Sequence, residues 1–241
     1  MKKTLLLAVS LALATFNPVR SQDYVPYLSQ EEVSSSVRLL PPPPQEGSIE
    51  FLMDKFAYWT YYSLRDTERG RQAVQDADMS DAVLLQFRES FGLAITKESM
   101  PETYELLMRA KECFGSSGSN EAKQFYRRTR PFVYFGTTTL TPDDEPFLRG
   151  NWSYPSGHTA NFHGIARILI DLRPDRCQEI QERAEQGGIS RLIVGAHWMS
   201  DVAAGKAVAA SVYERLILNP EYQTQFLKAQ SEVNHILGIN P

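Results

Sequence analysis

Pro155-Ser156-Gly157-His158-Thr159-Ala160-Asn161-Phe162-His163-Gly164-Ile165-Ala166-Arg167-Ile168-Leu169-Ile170-Asp171-Leu172 is the most informative run of this 241-residue chain. Pro-Ser-Gly opens it, no strand alternation follows, and Arg173-Pro174 closes it. It predicts a helix from the Ser156–Gly157 junction to about Leu172. Small residues at such a junction leave backbone N–H groups unpaired and facing outward, and the helix dipole adds partial positive charge there. The junction is therefore a ready anion site. Gly157 allows a ligand close to the backbone, and His158 is placed to exchange a proton with whatever the N–H groups hold. Taken alone, the tetrapeptide also reads as an ordinary Ser N-cap beside a polar His.

Helical spacing extends to both sides of this run. Phe51, Leu52, Phe56 and Trp59 recur at steps of three and four, as do Val83, Leu84, Phe87 and Phe91. Tyr104, Leu107 and Met108 continue the pattern until Gly115-Ser116-Ser117-Gly118 interrupts it. Residues 119–130 read as a helix ended by Pro131, residues 136–154 as a long loop, and a last long helix begins near Trp198. Phe132 to Phe135 is the nearest approach to a strand. The fold class expected is all-α, a single mainly helical domain over residues 51–241. Residues 22–50 read as an irregular arm stiffened by Pro41 to Pro44.

The first 21 residues stand apart. Lys2 and Lys3 precede a short apolar run ending at Phe16, and Val19 and Ser21 follow, the parts of a cleaved secretory signal. The expected location is periplasmic or secreted. Residues 1–21 carry Lys2, Lys3 and Arg20 and no acid, so their removal takes the net charge from −4 to −7. So acidic a chain argues against nucleic acid as a partner, because that binding rests on a basic surface. No later stretch is long and apolar enough for a transmembrane helix, so no membrane insertion of the mature chain is expected. Cys113 and Cys177 could pair in an oxidising compartment or remain two thiols; sequence leaves both open.

Two further segments carry chemistry. In Lys123-Gln-Phe-Tyr-Arg-Arg-Thr-Arg130-Pro131, the seven-residue step puts Lys123 and Arg130 on one helical face. Arg127 shares that face, and Arg128 points elsewhere. An ammonium beside a guanidinium suits an oxyanion such as phosphate. In Ser190-Arg191-Leu-Ile-Val-Gly-Ala-His197-Trp-Met-Ser-Asp201, the histidine and aspartate are four apart at a helix start. The carboxylate can then accept from one imidazole nitrogen and leave the other as a nucleophile. Arg191 adds a cation. His163 lies off the face of His158, and His235 lies in the polar C-terminal tail, so neither is expected to be a ligand. No His/Cys/Asp spacing resembles a metal site, and no cofactor is expected.

Lys-x6-Arg-Pro, Pro-Ser-Gly-His and Ser-Arg-x5-His-x3-Asp, in this order, resemble the signature of the type 2 phosphatidic acid phosphatase (PAP2) superfamily. Leu39-Leu40-Pro41-Pro42-Pro43-Pro44, Thr67-Glu68-Arg69-Gly70, Ser153-Tyr154-Pro155 and Gly195-Ala196-His197-Trp198-Met199-Ser200-Asp201 look like bacterial class A non-specific acid phosphatases, over nearly the whole mature chain. The resemblance implies a helical, exported, metal-independent enzyme that cleaves many phosphomonoesters, with possible transfer of phosphate to other alcohols, and a homo-oligomer. It implies His197 as nucleophile, His158 as general acid and Asp201 as the group orienting His197. Lys123, Arg130, Arg191, Ser156 and the Gly157 amide would hold the phosphoryl oxygens. The chain departs from the family at Leu140 and Val194, where many members have cysteines, so an apolar contact would replace a bridge. It departs again at Trp152, where many have Gly, leaving the ring as plain packing or as a wall of the leaving-group pocket. The alternative reading is a vanadate-dependent haloperoxidase, which resembles the same three motifs; the chain is short for that group. A lipid phosphatase of the superfamily would need membrane spans.

Overall fold

The computed structural model describes residues 24–239, so the expected signal segment lies outside the described residues. Thirteen α-helices follow in order: α1 (Ser36–Leu39), α2 (Ile49–Tyr62), α3 (Glu68–Gln75), α4 (Ala82–Leu85), α5 (Arg88–Phe91), α6 (Pro101–Glu112), α7 (Asn120–Tyr126), α8 (Pro131–Phe135), α9 (Glu145–Arg149), α10 (Gly157–Leu172), α11 (Cys177–Val194), α12 (Met199–Leu216) and α13 (Pro220–Leu237). No strand occurs among the described residues, and the all-α expectation holds.

The helix read from Pro155 onward is the axis of the fold. Ser156 caps α10, its Oγ accepting the Thr159 N–H at 3.3 Å. Every residue from Thr159 to Ala166 is buried, so this helix has no solvent face over two turns. α11 and α12 pack along it, and α6 and a π-helical turn at Cys113–Ser117 close it from another side. Side chains such as Phe162, Ile165 and Leu169 are each worth roughly 1.5–3 kcal/mol on burial, which outweighs the weak preferences of Asn161 and Gly164 for helix.

α11 is the element that sequence spacing did not show. Its apolar residues follow no single stripe, and Gly187-Gly188 reads as a break. Here Gly187 serves contact: a Cβ on it would lie 2.3 Å from Cγ of Phe162 on α10. The centre of a buried ring cannot swing aside as a flexible chain end does. Gly187→Ala gains about 1 kcal/mol of helix propensity and, at so close a contact, loses about 2–2.5 kcal/mol to overpacking, a net cost of about 1–1.5 kcal/mol. A fall in Tm of roughly 2–6 °C is expected by calorimetry; an unchanged Tm would show that α10 and α11 separate at little cost.

Other boundaries differ from the sequence reading. Residues 119–130 do not form one helix: α7 ends at Tyr126, and Arg127 turns left-handed at φ 49°. Arg130 is extended because Pro131 disfavours helical geometry before it. The candidate strand at Phe132–Phe135 is α8, with Pro131 at its first position. The 136–154 loop contains α9. After α12, Asn219-Pro220 caps and starts α13, so His235 lies in a helix and not in an irregular tail. α13 docks on α6, and its Glu232 accepts the N–H groups of Glu102 and Thr103 at the α6 N-terminus.

On α2 only Phe51 of the four spaced apolar residues faces inward; Leu52, Phe56 and Trp59 are exposed, and the buried face is Phe51, Asp54, Ala57 and Tyr58. The arm is no loose linker, for Tyr27, Leu28, Val33 and Leu40 enter the core. Cys113 is buried and Cys177 exposed, both as free thiols, so the open question of their pairing closes against a bridge. Leu140 packs on the cluster containing Val194, and its N–H bonds the Val194 carbonyl at 3.1 Å. An apolar contact joins the two positions, as expected from the resemblance.

Candidate active site

Two helix starts and one short turn assemble the site. α11 ends at Gly195, whose φ of 84° is open to glycine and costly for other residues, and the chain re-enters helix at Trp198. That turn brings Arg191, in the last turn of α11, near His197, just before α12. The Ser156 N–H bonds the Asp201 carbonyl at 3.0 Å, tying the start of α10 to the start of α12. Asp201, at the third position of α12, reaches back to accept the Trp198 N–H at 2.8 Å.

The hydrogen bonds around His197 decide its tautomer. Arg130 Nη1 lies 3.1 Å from His197 Nε2, and a guanidinium can only donate. Nε2 is thus the lone-pair nitrogen. Nδ1 carries the proton and faces Asp201 Oδ2 at 3.4 Å. The ring is nearly inaccessible, 2% exposed. Burial, then Arg130, Lys123 and Arg191, hold its pKa well below the ordinary imidazole range. His158 is held down by burial first and by Arg191 and His197 next. Its Nε2 donates to the Ala77 carbonyl at 3.1 Å, so Nδ1 is the nitrogen left to gain and lose a proton.

Three cations converge. Lys123 Nζ donates to the Trp152 carbonyl at 2.7 Å. Arg130 donates to the carbonyls of Leu148, Asn151, Trp152 and Ala196, which aim its fork. Arg191 is 1% exposed, and its Nε and Nη1 have no hydrogen-bond partner among the described residues. Burial first and Arg191 next push Arg130 down to about 10, and burial alone brings Arg191 down to about the same value. Both stay cationic in acid, and Lys123 is pushed down by burial and then by Arg130. Buried donors without acceptors are costly; an oxyanion would satisfy them and offset the crowding of positive charge.

Of the residues predicted for the site, Lys123, Arg130, His158, Arg191, His197 and Asp201 are grouped by the contacts and charges above, and the others have partners of their own. Ser156 spends its Oγ within α10, accepting from Thr159 N and Oγ1. Gly157 is also a packing glycine, since a Cβ there would meet the Gly115 carbonyl at 3.0 Å. Trp152 is half-buried, and its carbonyl holds Lys123 and Arg130. The pairing of Arg127 with the site is overturned: Arg127 is exposed, and Arg128 is buried between Asp54 and Asp201. Asp54 and the Ala77 carbonyl were not foreseen. A lone carboxylate in the apolar run of α2 was the one available signal for Asp54. A backbone acceptor such as Ala77 leaves none. His163 is buried beside Glu185 at 4.0 Å, and desolvation pushes it down to about 4.

Comparison with known proteins shows the family. The PAP2 superfamily pattern matches residues 106–223. The chain is 40% identical over 226 residues to the non-specific acid phosphatase of Providencia stuartii, covering 93% of this chain and 91% of that one. It is 40% identical over 210 residues to the non-specific acid phosphatase of Salmonella typhimurium, covering 87% and 84%. It is 32% identical over 202 residues to an acid phosphatase of Zymomonas mobilis, covering 83% and 76%. Identity at this level over most of the length, with the same three motifs folded into one cation-lined site, places the protein: the chain belongs to the PAP2 superfamily and, within it, to the class A non-specific acid phosphatases.

Proposed function

We propose that this acid phosphatase hydrolyses a broad range of phosphate monoesters through a phosphohistidine on His197. The observation that carries the proposal is the fixed tautomer: Arg130 marks Nε2 as the lone-pair nitrogen, and Asp201 faces the Nδ1 proton. In the first step Nε2 attacks phosphorus while the phosphoryl oxygens lie against Lys123, Arg130, Arg191 and the Gly157 N–H. The P–O bond to the alcohol breaks, and His158 gives its Nδ1 proton to the departing oxygen. Asp201 supports the positive imidazole that results. In the second step His158 takes a proton from water, water oxygen bonds phosphorus, and the P–N bond returns its electrons to His197. An alcohol in place of that water yields phosphate transfer.

Acid pH suits this division of labour. His197 attacks only when unprotonated, and a depressed pKa keeps it so in acid. His158 donates only when protonated, and its depressed pKa confines that state to acid. The negative charge of bound phosphate raises both, which restores the His158 proton in the complex.

The same reading places the enzyme in the periplasm or outside the cell, as a homo-oligomer, with Trp152 bordering the leaving group and small phosphate esters as its ligands. No helix among the described residues is long and apolar enough to cross a membrane. Lys123, Arg130 and Arg191 would repel a divalent ion and take over its charge stabilisation. Turnover is therefore expected to survive exhaustive dialysis against EDTA and to be inhibited competitively by vanadate, whose five-coordinate form on His197 resembles the transition state. Loss of activity restored by zinc or magnesium, or indifference to millimolar-scale vanadate (about 10³ times a micromolar Kd), would contradict the site.

A further inference from the structure

We infer that Asp54 and Arg128 are positioning residues for phosphoryl transfer, acting on His197 through Asp201. Asp54 comes from the middle of α2 and Arg128 from the non-helical segment before Pro131, 74 positions apart. Arg128 Nη1 donates to Asp201 Oδ1 at 2.6 Å and to Ser200 Oγ at 2.7 Å, and Nη2 donates to Asp54 Oδ2 at 2.6 Å. Asp54 accepts the Ser200 N–H on Oδ1 at 2.8 Å and the Ser200 hydroxyl on Oδ2 at 2.6 Å. The side chains of Arg128, Asp54 and Asp201 are 7%, 1% and 0% exposed. Three buried charges in a row are a costly way to build a core that apolar residues would fill as well. Their placement answers a need of the reaction instead.

Asp201 must do two things in the first step: present Oδ2 to the imidazole, and remain an anion while the imidazole becomes positive. Arg128 on Oδ1 sets the twist of the carboxylate, so that Oδ2 faces Trp198 N and His197 Nδ1. Arg128 also occupies Oδ1 and leaves Oδ2 to accept from Nδ1. Unopposed, the guanidinium would draw off the negative charge that the imidazolium needs. Asp54 occupies the other arm of the fork and shares that pull. The chain of contacts is Asp54, Arg128, Asp201, His197, with Ser200 bracing the first two. The inference rests on the roles proposed for His197 and Asp201.

The test is Asp54→Asn, which keeps shape and removes charge. The groups facing His197 are Arg130, Lys123, Arg191, His158 and Asp201. Those acting on Asp201 besides His197 are Arg128, Lys123, Arg130 and Tyr154. With Asp54 neutral, Arg128 pulls harder on Asp201, and the imidazolium loses support. The nitrophenol burst rate is expected to fall about 10-fold with KM within about two-fold. Because His197 becomes harder to protonate, the acid limb of kcat/KM is expected to move about half a unit to lower pH. Arg128→Lys keeps the charge but cannot bridge both carboxylates, and a fall of about 10²-fold is expected.

If D54N does not fold, R128K carries the test, and the reverse. A folded variant that lowers Tm yet keeps the burst rate within about two-fold and the acid limb in place would reduce the pair to a structural ion bridge and overturn the inference. Formation of a phosphoenzyme by the parent, absent when His197 is replaced, separates this outcome from a failure of the nucleophile assignment. Without that phosphoenzyme, the underlying reading fails whatever D54N does.

Discussion

His197→Ala is expected to abolish the nitrophenol burst with every substrate and to lower turnover on the order of 10⁴–10⁶-fold, the range for a missing member of a nucleophile–base unit. The magnitude follows from what remains. Lys123, Arg130 and Arg191 still hold the ester, and Arg191 Nε and Nη1 still find an acceptor, so KM should change far less than kcat. What disappears is the Nε2 lone pair, which accepts from Arg130 in the free enzyme and turns to phosphorus once the phosphoryl oxygens draw that donor away. Rapid quenching of the parent should trap an acid-labile, base-stable phosphoenzyme, and quenching of the variant should trap none. A variant that keeps its phosphoenzyme would move the nucleophile to another residue.

His158→Ala is expected to separate substrates by leaving group. A simple alkoxide departs only with a proton, and a nitrophenolate hardly needs one. The burst with alkyl phosphates should fall roughly 10²–10⁴-fold, and that with nitrophenyl phosphate by less than about 10-fold. Steady-state rates are the wrong measure, because His158 also serves as base for water in the second step and its loss there touches all substrates alike. The bond from His158 Nε2 to the Ala77 carbonyl gives the assignment its directional content, since the proton must pass through Nδ1. Equal losses with both substrates in the burst would remove His158 from the first step.

The burial of the site explains why these effects should be large. With Lys123, Arg130 and Arg191 nearly inaccessible, each hydrogen bond to a phosphoryl oxygen acts in a medium less screened than water. The same burial depresses the two histidines, so binding strength and acid working range share one cause.

Sequence by itself determined what depends on local geometry. His197 stands just before α12 and Asp201 at its third position, so the geometry of one capped helix start brings the carboxylate to Nδ1. Pro155-Ser156-Gly157 reads as a helix start, and α10 begins there. The three motifs in their order are enough to point to the family.

Tertiary structure alone decided which faces turn inward and which charges meet. Spacing marks a stripe on α2 and does not say whether the stripe or its neighbour is buried; the ion pair of Asp54 with Arg128 turns Asp54 inward and leaves Phe56 and Trp59 outside. Arg127 and Arg128 are adjacent and chemically alike. One faces solvent and the other holds Asp201, because the chain leaves helix at Arg127, which turns left-handed, and Pro131 holds Arg130 extended. α11 carries no mark of its own because Gly187 makes room for the Phe162 ring on another helix, a reason with no signature in its own stretch. Each of these turns on partners tens of residues away. The backbone dictates local spacing, and only the packed chain chooses among the long-range pairings that local spacing permits.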